Sequence, residues 1–336
     1  MFFKGKKILV VGGTGTIGSS IVKTLLREDP DVIRVFSRDE HKQFELQNQL
    51  GTRKNVRYLI GDVRNYDRVY TAMQDIDYVF HLAAMKHVPS CEYNPYEAVL
   101  TNVHGTNNVI RASLAQKVKK VVFTSTDKAI SPTNAYGATK LTAERLITAA
   151  EYSKGLGQTV FASVRFGNVM GSRGSVIPLF KEQVVDQGRI TITDTTMTRF
   201  MMTLKQATSL TIKALEEARG GEIFVLKMPI VSLKDLATIV IEETCHKCGK
   251  KKEDVVVKEI GLRPGEKMYE ELMTYEESLT AWEVPEMFII PYAKGSGAGP
   301  IYKDAKRATP GTYRSEGHPT LSLDDLHFLL KREGLV

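Results

Sequence analysis

The sequence predicts an α/β protein, a doubly wound parallel sheet with a smaller C-terminal α/β unit, and three observations carry the prediction. Short apolar runs rich in Val and Ile alternate with helical patterns from residue 7 to about residue 165. A glycine triplet follows the first of these runs at three-residue spacing. After Phe166 the rhythm breaks into Gly-rich and Pro-rich turns with isolated helix and strand patterns.

The expected strands are Lys7 to Val11, Val32 to Phe36, Val56 to Ile60, Tyr78 to His81, Lys120 to Thr124 and Thr159 to Arg165. Each reads as a strand covered on both faces with helices between, as in a parallel doubly wound sheet. Six strands complete a Rossmann-type sheet, so residues 1–166 are expected to form a dinucleotide-binding domain. Further on, helices are expected at Leu204 to Arg219 and Ser232 to Glu243, with a short strand at Glu222 to Leu226. The 204–226 segment is read as returning to the sheet, and the rest of 167–336 as mostly a substrate domain.

Composition sets the outer bounds. Over 336 residues, 42% hydrophobic and 25% charged is the profile of a globular protein and excludes a disordered or fibrous one. No apolar stretch approaches the roughly 20 residues that span a bilayer. The opening Met1-Phe2-Phe3-Lys4 runs straight into a strand and leaves no room for a signal segment, so a cytoplasmic protein with no membrane partner is expected. Cys91, Cys245 and Cys248 are too few for a disulfide framework, which fits a reducing compartment. The net charge of +7, from 46 basic and 39 acidic residues, is scattered along the chain, favouring anionic small molecules over nucleic acid.

The glycine loop reads Val11-Gly12-Gly13-Thr14-Gly15-Thr16-Ile17-Gly18. Its glycines permit a tight turn and close approach of a pyrophosphate to the amides at the following helix N-terminus. Gly12, Thr14, Gly15, Thr16, Ile17 and Gly18 are the cofactor candidates here. At the end of the second strand an NAD site would place an acidic residue against the ribose 2′-hydroxyl. The chain instead has Phe36-Ser37-Arg38-Asp39, with Asp39 late, and Ser37 and Arg38 suit a 2′-phosphate. NADP is therefore expected rather than NAD, with Ser37, Arg38, Asp39 and Lys42 around it. Asp62 and Val63 after the third strand, and Leu82, Ala83, Ala84 and Lys86 after the fourth, extend the cofactor path.

Tyr136 and Lys140 are four residues apart on an expected helix and project from one face. An ammonium beside the phenol, with an oxidised nicotinamide near, lowers the phenol pKa and makes Tyr136 a base for a sugar hydroxyl; Lys140 also holds the cofactor.

These residues resemble the extended short-chain dehydrogenase/reductases, and the likeness covers essentially the whole chain. Within them, Phe36-Ser37-Arg38-Asp39-Glu40, Ala83-Ala84-Met85-Lys86-His87-Val88-Pro89, Ser125-Thr126-Asp127-Lys128-Ala129, Gly167-Asn168-Val169-Met170-Gly171-Ser172-Arg173-Gly174-Ser175-Val176 and Arg263-Pro264-Gly265-Glu266-Lys267 look like the UDP-N-acetylglucosamine 4,6-dehydratases. The closest likeness is to the soluble, C5-inverting type that opens pseudaminic acid biosynthesis. That resemblance implies oxidation at C4′, elimination of water across C5′ and C6′, and reduction at C6′ on one bound cofactor. It implies catalytic roles for Asp127, Lys128, Tyr136 and Lys140, with Lys128 the C5′ base and Asp127 the acid. As neighbours in an extended segment those two point apart, so a turn must bring both to the sugar. A homo-oligomer, a hexamer among the options, is also implied.

Substrate contacts implied in the same way are Lys86, Thr126, Asn168, Arg173, Arg199, Arg263 and Glu266, with the three arginines neutralising the diphosphate. For Arg199 a structural ion pair is the competing reading. Cys245-His246-Lys247-Cys248 is half a zinc knuckle without a second half, so no metal site is expected and a solvated basic loop is. Two other functions fit parts of the pattern. A nucleotide-sugar 4-epimerase shares Tyr136 and Lys140 but usually has Ser or Thr in place of Asp127-Lys128. A silent cofactor-binding regulator would lack the Tyr-x3-Lys pair.

Overall fold

The computed structural model describes residues 1–292 and 302–336. The chain starts with β1 (Lys7–Val11), α1 (Thr16–Leu25), β2 (Val32–Ser37), α2 (Glu40–Leu50), β3 (Val56–Ile60), α3 (Tyr66–Ala72) and β4 (Tyr78–His81). A broken helical stretch follows: α4 (Val88–Tyr93), α5 (Pro95–Ala98), a π-helical segment Val99–His104, and α6 (Gly105–Ala115). Then come β5 (Lys120–Thr124), a 3-10 turn at Asp127–Ala129, α7 (Ala135–Ser153) and β6 (Val160–Arg165). The strands alternate side chains between two cores: Ile8 and Val10 enter one, Leu9 and Val11 the other. This period of two is why these strands read as unbroken apolar runs.

The second half contributes β7 (Asn168–Val169), α8 (Val176–Gln187), β8 (Arg189–Ile192), β9 (Thr198–Met202), α9 (Leu204–Glu217), β10 (Ile223–Leu226), β11 (Ile230–Ser232) and α10 (Leu233–Cys248). It closes with β12 (Val256–Glu259), β13 (Glu271–Met273), α11 (Tyr275–Ser278), β14 (Trp282–Val284), β15 (Met287–Ile290), β16 (Lys306–Arg307), β17 (Tyr313–Arg314) and α12 (Leu323–Arg332).

The main sheet has the order β16-β14-β15-β10-β6-β5-β4-β1-β2-β3. The six expected strands lie in one parallel block, and β10 adds to β6 in parallel. The sheet is larger than the six strands expected, because β14, β15 and β16 continue it antiparallel. These are short, and β14 carries Glu283 between its apolar residues, so no long apolar run marks them. The strand order reverses at β1 and β4, where a crevice opens at the carboxyl ends.

The remaining strands form the small sheets β11-β9-β7, β12-β8 and β13-β17. A third core lies beneath α8, α10 and α12, with Phe180, Val184, Leu236, Val240 and Leu326 in it. The expected loop at Cys245-His246-Lys247-Cys248 is instead the last turn of α10, closed by Gly249 at φ 68°. Its helical period buries Cys245 and leaves Cys248 outside. Among the described residues no group of three or more His, Cys, Asp or Glu is placed to hold a metal ion, and no helix is long and apolar enough to cross a membrane.

Candidate active site

Two cavities lie at the carboxyl ends of the parallel strands. The first, about 270 Å³, is walled by Gly12, Thr14 and Gly15 after β1, by Ser37, Arg38, Asp39 and Lys42 after β2, and by Asp62 and Val63 after β3. Leu82, Ala83 and Ala84 close it from β4. Gly12 has φ 86°, and a Cβ there would lie 2.7 Å from the Ala83 amide nitrogen, so the two loops approach this closely only with glycine. Thr16, Ile17 and Gly18 form the first turn of α1 behind the loop. Thr101 Oγ1, in the wall, is buried with no hydrogen-bond partner among the described residues.

Asp39 does not face this cavity as a free carboxylate. Its side chain caps α2 by accepting from the Lys42 amide at 3.0 Å and pairs with Lys42 Nζ. Thr14 Oγ1 donates to Ser37 Oγ at 3.0 Å, fixing the glycine loop to the end of β2. Burial works to raise the Asp62 carboxyl, but its bonds to Arg64 hold it below the usual range.

The second cavity, about 220 Å³, brings together Asp127, Lys128, Asn168, Arg199, Arg263 and Glu266 with Val88, Pro89, Lys267 and Glu270. The required turn is the 3-10 turn at Asp127–Ala129, capped by Thr126. Lys128 Nζ folds back onto its neighbour and donates to Asp127 Oδ2 at 2.8 Å, and it lies 3.3 Å from Glu270 Oε1. Thr126 Oγ1 donates to Asp127 Oδ1 at 2.8 Å. Burial alone would drive Lys128 toward the neutral amine, but Asp127 and Glu270 outweigh it and hold the ammonium above its ordinary pKa.

Tyr136 opens α7, whose N-cap Asn134 accepts from the Gly137 amide at 2.8 Å. Burial pushes its phenol up to about 12, against the lowering effects of a hydrogen bond with Thr126 and the charge of Lys128. The expected lowering by Lys140 is not what the geometry gives. Lys140 Nζ donates to the Thr124 carbonyl, lies 3.9 Å from the Phe123 ring centroid, and burial pushes it down to about 7. The cation that bears on Tyr136 is Lys128.

Three of the expected substrate contacts, Arg173, Lys86 and Thr126, do not line the second cavity. Arg173 lies on the glycine loop, donating from Nη2 to the Thr14 carbonyl and lining the first cavity, because the turn after β7 folds back over α1. Arg199 reaches the second cavity, but Nη1 donates to the Thr198 and Met268 carbonyls at 2.8 and 3.0 Å and Nη2 to Lys267 at 2.9 Å. Its Nε also lies 3.5 Å from Glu270 Oε1, the contact that the competing reading of a structural ion pair expects. Lys86 Nζ donates to the Arg173 carbonyl at 3.0 Å and lines neither cavity. Thr126 is buried behind Asp127 as a brace.

Sequence reasoning missed Glu270 and the tie that carries it. Thr133 Oγ1 and Asn134 Nδ2 both donate to the Gly265 carbonyl at 2.9 Å, and Lys267 Nζ donates to the Ile130 carbonyl at 3.0 Å. Gly265 has φ 81°, and a Cβ would meet Asn134 Cβ at 2.9 Å, which accounts for glycine in Arg263-Pro264-Gly265. Glu270 sits in the polar run Glu266-Lys267-Met268-Tyr269-Glu270-Glu271, where nothing in the spacing separates a buried acid from a surface one.

Residues 8–292 match the family described as polysaccharide biosynthesis protein. The chain belongs to that family. The crystal structure of Pen from Bacillus thuringiensis is similar with a TM-score of 0.93 at 62% identity, covering 100% of both chains. The inverting UDP-N-acetylglucosamine 4,6-dehydratase of Campylobacter jejuni serotype O:23/36 is 43% identical over 290 residues, 86% of this chain and 83% of that protein. A UDP-glucose 4-epimerase of Rickettsia felis is 41% identical over 339 aligned residues, 98% of this chain and 96% of that protein. This member of the polysaccharide biosynthesis family is thus an enzyme of the broad dehydratase and epimerase type, built on the extended short-chain dehydrogenase/reductase fold.

Proposed function

We propose that the enzyme is an NADP-dependent, C5-inverting UDP-N-acetylglucosamine 4,6-dehydratase that forms UDP-2-acetamido-2,6-dideoxy-β-L-arabino-hex-4-ulose. The observation that carries this reading is the Asp127–Lys128 pair, joined at 2.8 Å in the wall of the second cavity beside Tyr136. A 4-epimerase has no water to eliminate and no use for an acid and a base held together in this way.

The first cavity fits a dinucleotide. Gly12 leaves the close approach a pyrophosphate needs, and Thr101 Oγ1 is a buried hydroxyl in want of a partner. Arg173, on the glycine loop, is assigned to the cofactor diphosphate rather than to that of the sugar nucleotide. With Asp39 tied into the α2 cap, the groups left to meet the ribose are Ser37 and Arg38, which favour the 2′-phosphate of NADP. When bound, the nicotinamide supplies two-electron oxidation at C4′ and reduction at C6′. Residues 1–166 with 204–226 are assigned to the cofactor, and the rest of 167–336 mostly to the sugar nucleotide.

Tyr136 receives the C4′ hydroxyl proton as its phenolate, a form that the charge of Lys128 favours and that an oxidised nicotinamide nearby would favour further. In the resting pair Lys128 is an ammonium against the Asp127 carboxylate. Moving one proton across the 2.8 Å bond turns the pair into an amine base and a carboxylic acid. Lys128 then takes the C5′ proton while Asp127 gives its proton to the departing C6′ hydroxyl, and the pair returns to ammonium and carboxylate. The proton C5′ regains on the opposite face balances the one given up at C4′. In this reading Asn168, Arg263 and Glu266 contact the sugar nucleotide. The product feeds pseudaminic acid or a related surface glycan, and the enzyme works as a homo-oligomer in the cytoplasm.

The test is incubation with UDP-N-acetylglucosamine and NADP in deuterated water, followed by proton NMR. A 6-deoxy-4-keto sugar of L-arabino configuration with deuterium at C5′ is expected. Formation of UDP-N-acetylgalactosamine would replace the reading with the epimerase.

A further inference from the structure

We propose that Glu270 is a positioning residue for the elimination step, holding Lys128 Nζ against Asp127 and keeping the pair's shared proton in place. The inference rests on the dehydratase reading above.

Glu270 is buried at the entry to β13 and faces the second cavity. Its backbone is fixed by Ser315, with the Glu270 amide donating to Ser315 Oγ at 3.0 Å and its carbonyl accepting from the Ser315 amide at 2.8 Å. Its carboxylate is fixed as firmly. Oε1 accepts from Asn168 Nδ2 at 2.8 Å, and Oε2 accepts from the same Nδ2 and from the Phe200 amide at 2.9 Å each. From this anchored position Oε1 lies 3.3 Å from Lys128 Nζ and 3.5 Å from Arg199 Nε. A carboxylate present only to neutralise Arg199 would have its closest cation there. Here the closer cation is the lysine of the reactive pair.

Lys128 Nζ therefore sits between two carboxylates, one mobile in proton terms and one anchored. When its proton passes to Asp127, the bond to Glu270 remains and keeps the nitrogen from turning away, so the new lone pair stays aimed at the cavity. The negative charge of Glu270 also resists loss of the shared proton to solvent. Burial, followed by the nearby Asp127, raises the carboxyl of Glu270 itself, while Lys128 and Arg199 oppose that. The other titratable groups that bear on the cluster are Tyr136 on α7, Cys91 on α4, and Lys267 and Glu271 on either side of Glu270.

The Lys128 side chain is 31% exposed, so its proton affinity can be read directly by competitive acetylation with acetic anhydride across a pH series and peptide mass spectrometry. In the wild-type enzyme the labelling midpoint is expected above that of an ordinary lysine near 10.4. Glu270→Gln is expected to raise Lys128 labelling at pH 8 at least tenfold and to move the alkaline limb of kcat to lower pH, with NADPH binding unchanged. Glu270→Asp, whose shorter side chain withdraws the charge, should fall between. If Glu270→Gln does not fold by circular dichroism, the wild-type midpoint and Glu270→Asp decide. A wild-type midpoint at or below 10.4, or variants that lose thermal stability without moving the labelling, overturns the proposal. Shifted labelling in an enzyme that makes no 4-keto sugar overturns the dehydratase reading and leaves Glu270 as the group that governs Lys128.

Discussion

Two ion networks meet near the carboxyl end of β6, each a basic side chain between two carboxylates, and they have opposite effects. Arg165, the last residue of β6, is 1% exposed and donates to both oxygens of Glu144, both of Glu277 and the Leu272 carbonyl, at 2.6 to 3.2 Å. All five guanidinium donors point at acceptors, and the network ties α7 and β6 to β13 and α11. Lys128 has two carboxylates near it and its side chain opens to a cavity. A charge matched on every side cannot exchange a proton and only holds the structure. One matched on two sides, with the third facing a cavity, keeps a proton to move.

The comparison would break most visibly at Asp127→Asn. Loss of the acid should cut 4-keto sugar formation by about 10² to 10⁴, with thermal unfolding little changed. An active but unstable variant would mean that the two networks had been assigned the wrong way round. Arg165→Met should do the reverse. It leaves Glu144 and Glu277 facing each other without their cation, and urea unfolding should show a loss of about 3 to 5 kcal/mol.

A third buried group, His81, sharpens the contrast because it has no counter-charge at all. Burial, with Lys140 nearby, pushes its imidazole down to about 3, so it is neutral in the folded chain. The unfolded chain takes up a proton below about 6.5, so this contribution is present above that pH and is lost as pH falls toward about 3. At pH 5 the loss should be about 2 kcal/mol, and His81→Gln should flatten stability against pH between 6.5 and 5. The smallest effect separates the two cavities. Arg173→Ala should weaken NADPH binding about tenfold by fluorescence, the loss of one charge-assisted hydrogen bond, and leave UDP binding unchanged by calorimetry. A fall in UDP affinity instead would return Arg173 to the sugar.

The half of the molecule around the first cavity was legible because its signals are local. β1, β4, β5 and β6 are buried along nearly their whole length and announce themselves as apolar runs, while Gly12 and Leu82 each follow a strand end directly and Ser37 closes β2. The second cavity is built across distance. Asp127 and Lys128 were found through their motif, but whether Arg199 faced a phosphate or a carboxylate depended on Glu270, 71 positions further on. Arg173 could not be placed until the turn after β7 was seen folding onto Thr14. Strands as short as β14 and β16 form because β15 offers an edge to β14 and β14 in turn offers one to β16, and no pattern within them says so.

The Gly265 carbonyl, gripped by Thr133 and Asn134, has a consequence for how the protein is made. The start of the helix that carries Tyr136 is held by a loop about 130 residues later in the chain, and Lys128 waits for Glu270. At ribosomal rates of about 5 to 20 residues per second, the cofactor-binding strands emerge many seconds before the segments that pin Tyr136 and Lys128. A growing chain can thus acquire a place for the dinucleotide while its acid and base are still unpaired, and the reactive half of the enzyme is set only when synthesis is nearly over.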